Sequence, residues 1–286
     1  MKSILIALAS IALTACGSSP TPSGIATTVT VNGATRTFRL VVPSTPPSSA
    51  MPLVLAFHGG GGRDSAFPQE EAFGQLAEQE GFIIAYPLAE IQAGNEGEWQ
   101  LNTVPERRHD MAFVEAVIDH ISARHNIDAT RVYATGYSLG SMFTYELPCQ
   151  LSNRFAAIAS HAGTMPVNPT ACSPAEPIGI MHLHGTEDTI IPYNSTWDWK
   201  SWDSVGTMRD VPSLISFWRT TYNCSEQNQA SSTSSQHTIH RACDNNARIE
   251  HHQLTGVGHE WPDTINNVST HQIVWNFLSD FSKSTP

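Results

Sequence analysis

Runs of alternating and continuous apolar residues divide the chain into strands and helices. In "TTVTVNGATRTFRLVVP", Val29 and Val31 alternate with threonines, Asn32-Gly33 supplies a two-residue turn, and Phe38, Leu40 and Val42 alternate on the return. That pattern predicts a β-hairpin. "PLVLAFHGGGG" is apolar without a break until its glycines, as expected of a strand covered on both faces. A helix is expected over about 66–80, then a strand at "FIIAYP". Residues 108–125 set Met111, Phe113, Val114, Val117, Ile118 and Ile121 at helical spacing, with Asp110 near the start. A strand at "RVYATGYS" follows, then a helix over 139–148 and strands at "FAAIASHAG" and "IGIMHLHG". A helix over 211–222, a strand at "RIEHHQLTG" and a helix over 269–282 complete the chain.

Strand and helix alternate after an opening hairpin. The expected fold is therefore α/β, a mostly parallel sheet with an N-terminal antiparallel hairpin and helices on both faces, in one domain over 26–286. Ligands of such sheets sit outside the carboxyl ends of the strands. "NSTWDWKSWDSVGTM" interrupts the alternation and reads as a Trp-rich loop or small cap around 193–210, beside that rim. Residues 224–243, rich in Ser, Gln and Asn, read as a stapled surface excursion.

Charge and cysteine usage narrow the function classes. The 286 residues carry a formal net charge of −11 and no run of Lys or Arg, so no nucleic-acid partner and no cationic membrane face are expected. "MKSILIALASIALTAC" has an early lysine, an apolar stretch too short to remain as a membrane span, and then small residues, the pattern of an export signal. "LTAC" resembles the lipobox of bacterial lipoproteins. That resemblance implies loss of residues 1–15, lipidation of Cys16 and a polar tether over 16–25. The protein is then exported and held at an outer membrane or cell surface by its lipid alone; plain secretion after cleavage near Ala15 is the rival. Cys149, Cys172, Cys224 and Cys243 remain, an even set in an exported chain. Of three pairings, Cys149 with Cys172 and Cys224 with Cys243 is the one expected, because it closes two local loops. No C-x-x-C or H-E-x-x-H occurs, so neither a metal nor any cofactor is expected.

Gly136-Tyr137-Ser138-Leu139-Gly140 fits G-x-S-x-G and lies between a predicted strand and a predicted helix, the context that motif requires. Lifting a serine hydroxyl off a sheet strains its backbone and leaves no room for flanking side chains. A nucleophile of this kind takes its partners in the chain order serine, acid, histidine, each just past a strand. "TEDTIIPY" offers Glu187 and Asp188, and "VGHEWPD" offers His259. Asp188 is preferred, because it lies deeper in the loop and its side chain is shorter. In "FHGGGG" the N–H of Gly60, with Gly59 the near rival, is the expected oxyanion donor beside that of Leu139. A phosphate loop is excluded there, since no G-K-[ST] follows. His182, His184, His251 and His252 lie in predicted strands and read as core residues, and His58 as a brace for the glycine loop.

With these segments in hand, the chain resembles the secreted esterases of the polyhydroxybutyrate depolymerase and feruloyl esterase type, which have the α/β-hydrolase fold. "LAFHGGGG", "NIDATRVYATGYSLGSM", "LSNRFAAIASHAG", "HGTEDTIIPY" and "GVGHEWP" carry the likeness, which runs from about Thr37 to Phe281. It implies a triad of Ser138, Asp188 and His259 and hydrolysis of carboxylic esters, polymeric or small, through an acyl-enzyme. Polyhydroxybutyrate-type polyester or its oligomers is the substrate expected first, with feruloyl or acetyl esters of plant polysaccharide as the alternative. Two features depart from the family pattern: Leu139 follows the serine, and "WDWKSW" matches no family signature. Trp99, Trp197, Trp199, Trp202 and Trp261 are candidates to wall a cleft, with Trp261 and Trp99 expected to touch substrate. A rival of another class is a non-catalytic surface lipoprotein that binds glycan or polymer through these tryptophans.

Overall fold

The computed structural model describes residues 24–62, 66–91, 96–102, 108–198 and 205–284. Cys16 and the proposed signal and tether up to residue 23 lie outside the described residues, as do Trp199 and Trp202. The opening hairpin pairs β1 (Ile25–Val31) with β2 (Ala34–Val41) around Asn32-Gly33, both at positive φ, as a tight two-residue turn needs. Next come β3 (Met51–Phe57) and α1 (Glu70–Glu80), then β4 (Ile83–Pro87) and α2 (His109–Ser122). The middle of the chain gives β5 (Ile127–Tyr137), α3 (Leu139–Thr144), α4 (Glu146–Gln150), β6 (Ala157–His161) and β7 (Gly179–Gly185). The last third gives α5 (Val211–Thr221), β8 (Glu226–Ser231), β9 (Ser235–Arg241), β10 (Ile249–Leu254) and α6 (Thr270–Ser279).

All ten strands join one sheet in the order β1-β2-β4-β3-β5-β6-β7-β10-β9-β8. The six central strands run parallel, and the two strands at each edge are antiparallel additions. Unbroken apolarity in β3 follows from its central place. Leu53, Leu55 and Phe57 enter the core beneath α2 and α5, while Val54 and Ala56 enter the core beneath α1 and α6. Two buried ion pairs fasten the hairpin to this body, Arg36 to Asp110 at 2.7 Å and Arg39 to Glu70. Both disulfides pair neighbours in sequence, Cys149–Cys172 and Cys224–Cys243. Among the described residues no helix is long and apolar enough to cross a membrane.

Residues 224–243, expected as a stapled surface excursion, form a hairpin: β8 and β9 extend the sheet beyond β10, closed at their base by Cys224–Cys243. Their polar composition belongs to an edge strand, since β8 is exposed along its whole length and has no second face to bury. The helix expected over 139–148 divides at Tyr145 into α3 and α4. Trp197-Asp198 pairs with Thr207-Met208 in a two-stranded ribbon within the Trp-rich segment.

Candidate active site

Four loops meet at the carboxyl end of the parallel strands. The first turns β5 into α3. Ser138 sits there at φ 55° and ψ −120°, a strained conformation that raises its Oγ from the sheet. Its flanking glycines have no substitute. A Cβ on Gly136 would lie 2.2 Å from Gly140 O, and one on Gly140 would lie 2.1 Å from Phe57 O. Ser138 N–H donates to His161 O at 2.9 Å, fixing the turn against β6.

The second and third loops follow β7 and β10, which are neighbours in the sheet. Their backbones are stitched together: Thr186 N–H donates to Leu254 O at 2.9 Å and Glu187 N–H to Val257 O at 3.0 Å. Gly185 permits this approach, for a Cβ there would lie 2.2 Å from Val257 O. Asp188 is consequently buried beneath His259, whereas Glu187 points into solvent. Asp188 Oδ1 accepts from the N–H groups of Ile190 and Ile191 at 2.9 and 2.8 Å. Asp188 Oδ2 lies 2.7 Å from His259 Nδ1 and 3.3 Å from His184 Nε2. Burial raises the Asp188 pKa, but hydrogen bonds from His184, His259 and Ile191 outweigh it and hold the carboxyl below the usual range. An ionised Asp188 fixes the proton of His259 on Nδ1, which leaves the Nε2 lone pair facing Ser138 Oγ at 2.8 Å. Tyr137 Oη donates to His259 O at 3.0 Å and secures that loop to the end of β5.

The fourth loop is the glycine run after β3. Gly59 packs against Ser138, its ideal Cβ position only 3.1 Å from Ser138 Cβ, and Gly60 lies over the Leu139 side chain. His58 braces this run. Its Nδ1–H donates to Gly59 O at 2.7 Å, and its Nε2 accepts from Ala89 N–H at 3.1 Å. Burial lowers its pKa to about 4, so the ring is neutral and both bonds persist at neutral pH.

Trp99 donates from Nε1 to His58 O at 2.9 Å and stacks on Phe143 with ring centroids 4.8 Å apart. It is fully buried and holds the glycine loop from behind. Trp261 is buried as well, its ring filling the space between Phe67, His161 and His271 at 5.1, 4.8 and 5.1 Å. Most of the ring packs beneath the loop that carries His259.

Sequence reasoning placed His182 and His184 in the core, and both are fully buried, yet they also lead to the site. Tyr145 Oη lies 2.8 Å from His182 Nδ1, and His182 Nε2 lies 3.1 Å from His184 Nδ1. His184 Nε2 then faces Ile191 O at 2.9 Å and Asp188 Oδ2 at 3.3 Å. One set of tautomers satisfies every contact, with each O–H or N–H donating toward Asp188. Burial keeps His182 well below its ordinary pKa and therefore neutral. The available signal was the alternation in "HLHGTED", which puts both imidazoles on the face of β7 that ends at Asp188.

The acetyl xylan esterase from Aspergillus awamori superposes with a TM-score of 0.58 at 19% identity, covering 90% of this chain and 99% of that one, which shows a shared fold. The bifunctional acetylxylan esterase/xylanase XynS20E of Neocallimastix patriciarum is 29% identical over 89% of this chain and 34% of its own length. Poly(3-hydroxyalkanoate) depolymerase C of Paucimonas lemoignei is 30% identical over 43% of this chain and 30% of its own. The chain thus spans about a third of the length of these two relatives. Residues 37–215 match the family described as Esterase PHB depolymerase, and the chain belongs to that family.

Proposed function

We propose that this chain is a serine carboxylic-ester hydrolase that works through an acyl-enzyme and needs no cofactor for the reaction. The observation that carries the reading is the continuous contact Ser138 Oγ–His259 Nε2–His259 Nδ1–Asp188 Oδ2, at 2.8 and 2.7 Å. Ser138 Oγ attacks the ester carbonyl carbon while its proton passes to His259 Nε2. The carbonyl oxygen gains negative charge, met by the N–H of Leu139 and that of Gly60, or Gly59 beside it. Collapse breaks the bond to the alcohol, which leaves with the proton from Nε2. Water then attacks the acyl-Ser138 carbonyl, gives its proton to Nε2, and the acid departs as Oγ recovers that proton. Asp188 stays ionised throughout, holding the imidazole tautomer and stabilising the imidazolium.

The ester proposed first is polyhydroxybutyrate-type polyester or its oligomers, supported by the family and by the depolymerase relative. Acetyl or feruloyl esters of plant polysaccharide form the second reading, supported by the acetylxylan esterase relative that aligns over 89% of this chain. Kinetics on 3-hydroxybutyrate trimer, acetylated xylan and methyl ferulate decide between them. Higher kcat/KM on the trimer supports the first reading, and the reverse order supports the second. No Ser138-dependent turnover of any of the three would refute both. Export with lipidation at Cys16 belongs to the same proposal and is supported by the two disulfides, which form in oxidising compartments. Mass spectrometry of the mature N-terminus tests it: an unmodified Cys16 thiol or an uncleaved leader contradicts the anchor.

A further inference from the structure

The edge of the sheet carries a second cluster of chemistry that esterolysis does not use. β9 and β10 are antiparallel, with His237 directly opposite His252. Glu250 precedes His252 by two residues and so lies on the same face of the sheet. The two imidazoles stack at 3.9 Å between centroids, 16° from parallel. Glu250 Oε2 lies 2.8 Å from His237 Nε2 and 3.8 Å from His252 Nε2. One ligand atom from each residue falls within 4.8 Å of both others.

Hydrogen bonding leaves this group incomplete. His252 is only 7% exposed, yet its Nε2 has no hydrogen-bond partner among the described residues and looks toward Glu250 Oε2 from beyond bonding distance. A buried ring nitrogen without a partner carries a desolvation cost that a bound cation would remove. The distances suit a particular cation. Bonds of about 2.1 Å in a tetrahedral site set donors about 3.4 Å apart. The observed 2.8 and 3.8 Å lie on either side of that value, and the two stacked imidazoles must tilt apart for their in-plane Nε2 lone pairs to converge on one ion. Arg248 forms an ion pair with Glu250, Nε lying 2.7 Å from Oε1, and its positive charge moderates affinity for an ion at Oε2. Two imidazoles and one carboxylate are a borderline donor set that favours Zn²⁺ over Mg²⁺ or Ca²⁺. The His237 side chain is 31% exposed, which gives an ion a path from solvent and leaves room for water as fourth ligand.

We propose that His237, Glu250 and His252 form a zinc site that cross-links β9 and β10 near the edge of the sheet, independent of the esterase reading. Sequence inspection missed it because two ligands lie on one strand and the third on its neighbour, so no short motif brings them together. Titration calorimetry of the untagged full chain with ZnCl₂ tests the proposal, with the visible d–d absorption of Co²⁺ reporting coordination geometry. One equivalent bound per chain, a tetrahedral Co²⁺ spectrum and a zinc-dependent rise in Tm are expected. His252→Ala and the milder His237→Gln should each abolish all three while preserving circular dichroism and ester turnover. Absence of stoichiometric binding by the full chain would overturn the site. So would binding that survives both variants, since it would then belong to other histidines.

Discussion

Asp188→Asn tests the electrostatic logic of the site more finely than deletion of the proposed nucleophile. The carboxylate receives four contacts, from Ile190 N–H, Ile191 N–H, His259 Nδ1 and His184 Nε2. An amide of the same shape has one acceptor oxygen and one NH₂ that only donates. If the oxygen stays on Ile190 and Ile191, the NH₂ faces His259, whose Nδ1 must then accept. Its proton moves to Nε2, and the ring can no longer take the proton of Ser138. The opposite orientation sets NH₂ against two backbone N–H groups that cannot rotate away, so the first orientation wins. The same NH₂ also opposes the proton on His184 Nε2. The wrong tautomer in a triad costs about 10⁴ in kcat, or about 5 kcal/mol of transition-state stabilisation. The assay is kcat on a p-nitrophenyl ester for Asp188→Asn and for Glu187→Gln, with circular dichroism confirming both folds. Glu187→Gln should retain full activity, because its side chain is exposed. More than a tenth of wild-type kcat in Asp188→Asn would refute the argument.

Other consequences follow from the same structure. Burial lowers the pKa of His58 and His271 to about 4 and that of His161 and His251 to about 3. Each is neutral when folded and titrates near 6.5 when unfolded, so the unfolded state binds more protons as pH falls below about 6.5. Stability therefore declines from about pH 6.5 toward pH 4, by more than about 1 kcal/mol per group at pH 5.5, against a total of about 5–15 kcal/mol. A urea midpoint unchanged between pH 8 and pH 5.5 would contradict this. Gly140→Ala drives a methyl group into Phe57 O and His58 O at 2.1 and 2.3 Å, pushing the glycine loop away from Ser138. Melting temperature and kcat should fall together, and a variant with wild-type values of both would show that the elbow has slack.

How much of this was readable beforehand depended on how local each signal is. The central strands declared themselves because burial on two faces demands unbroken apolarity, as in β3. Ser138, Asp188 and His259 were nameable because each lies just past a strand end, and parallel strands bring such ends to one rim. Glu187 and Asp188 could be ranked on loop depth and side-chain length, but the reason for the difference, the backbone stitching of two loops around Gly185, is not local. β8 escaped because an edge strand with both faces wet has no apolar alternation to read. The packing of Trp99 and Trp261 was not legible for the converse reason. Position in a loop near the rim does not reveal which way a large ring turns, and both turn inward to support the loops above them.

Exposure of the intact chain to a p-nitrophenyl alkylphosphonate, followed by peptide mapping, interrogates the nucleophile itself. The geometry predicts one covalent adduct per chain, on Ser138, formed quickly in the wild type, at least about a hundredfold more slowly in His259→Ala, and not at all in Ser138→Ala. An unlabelled wild-type chain, or an adduct on another residue, would contradict the account at its centre.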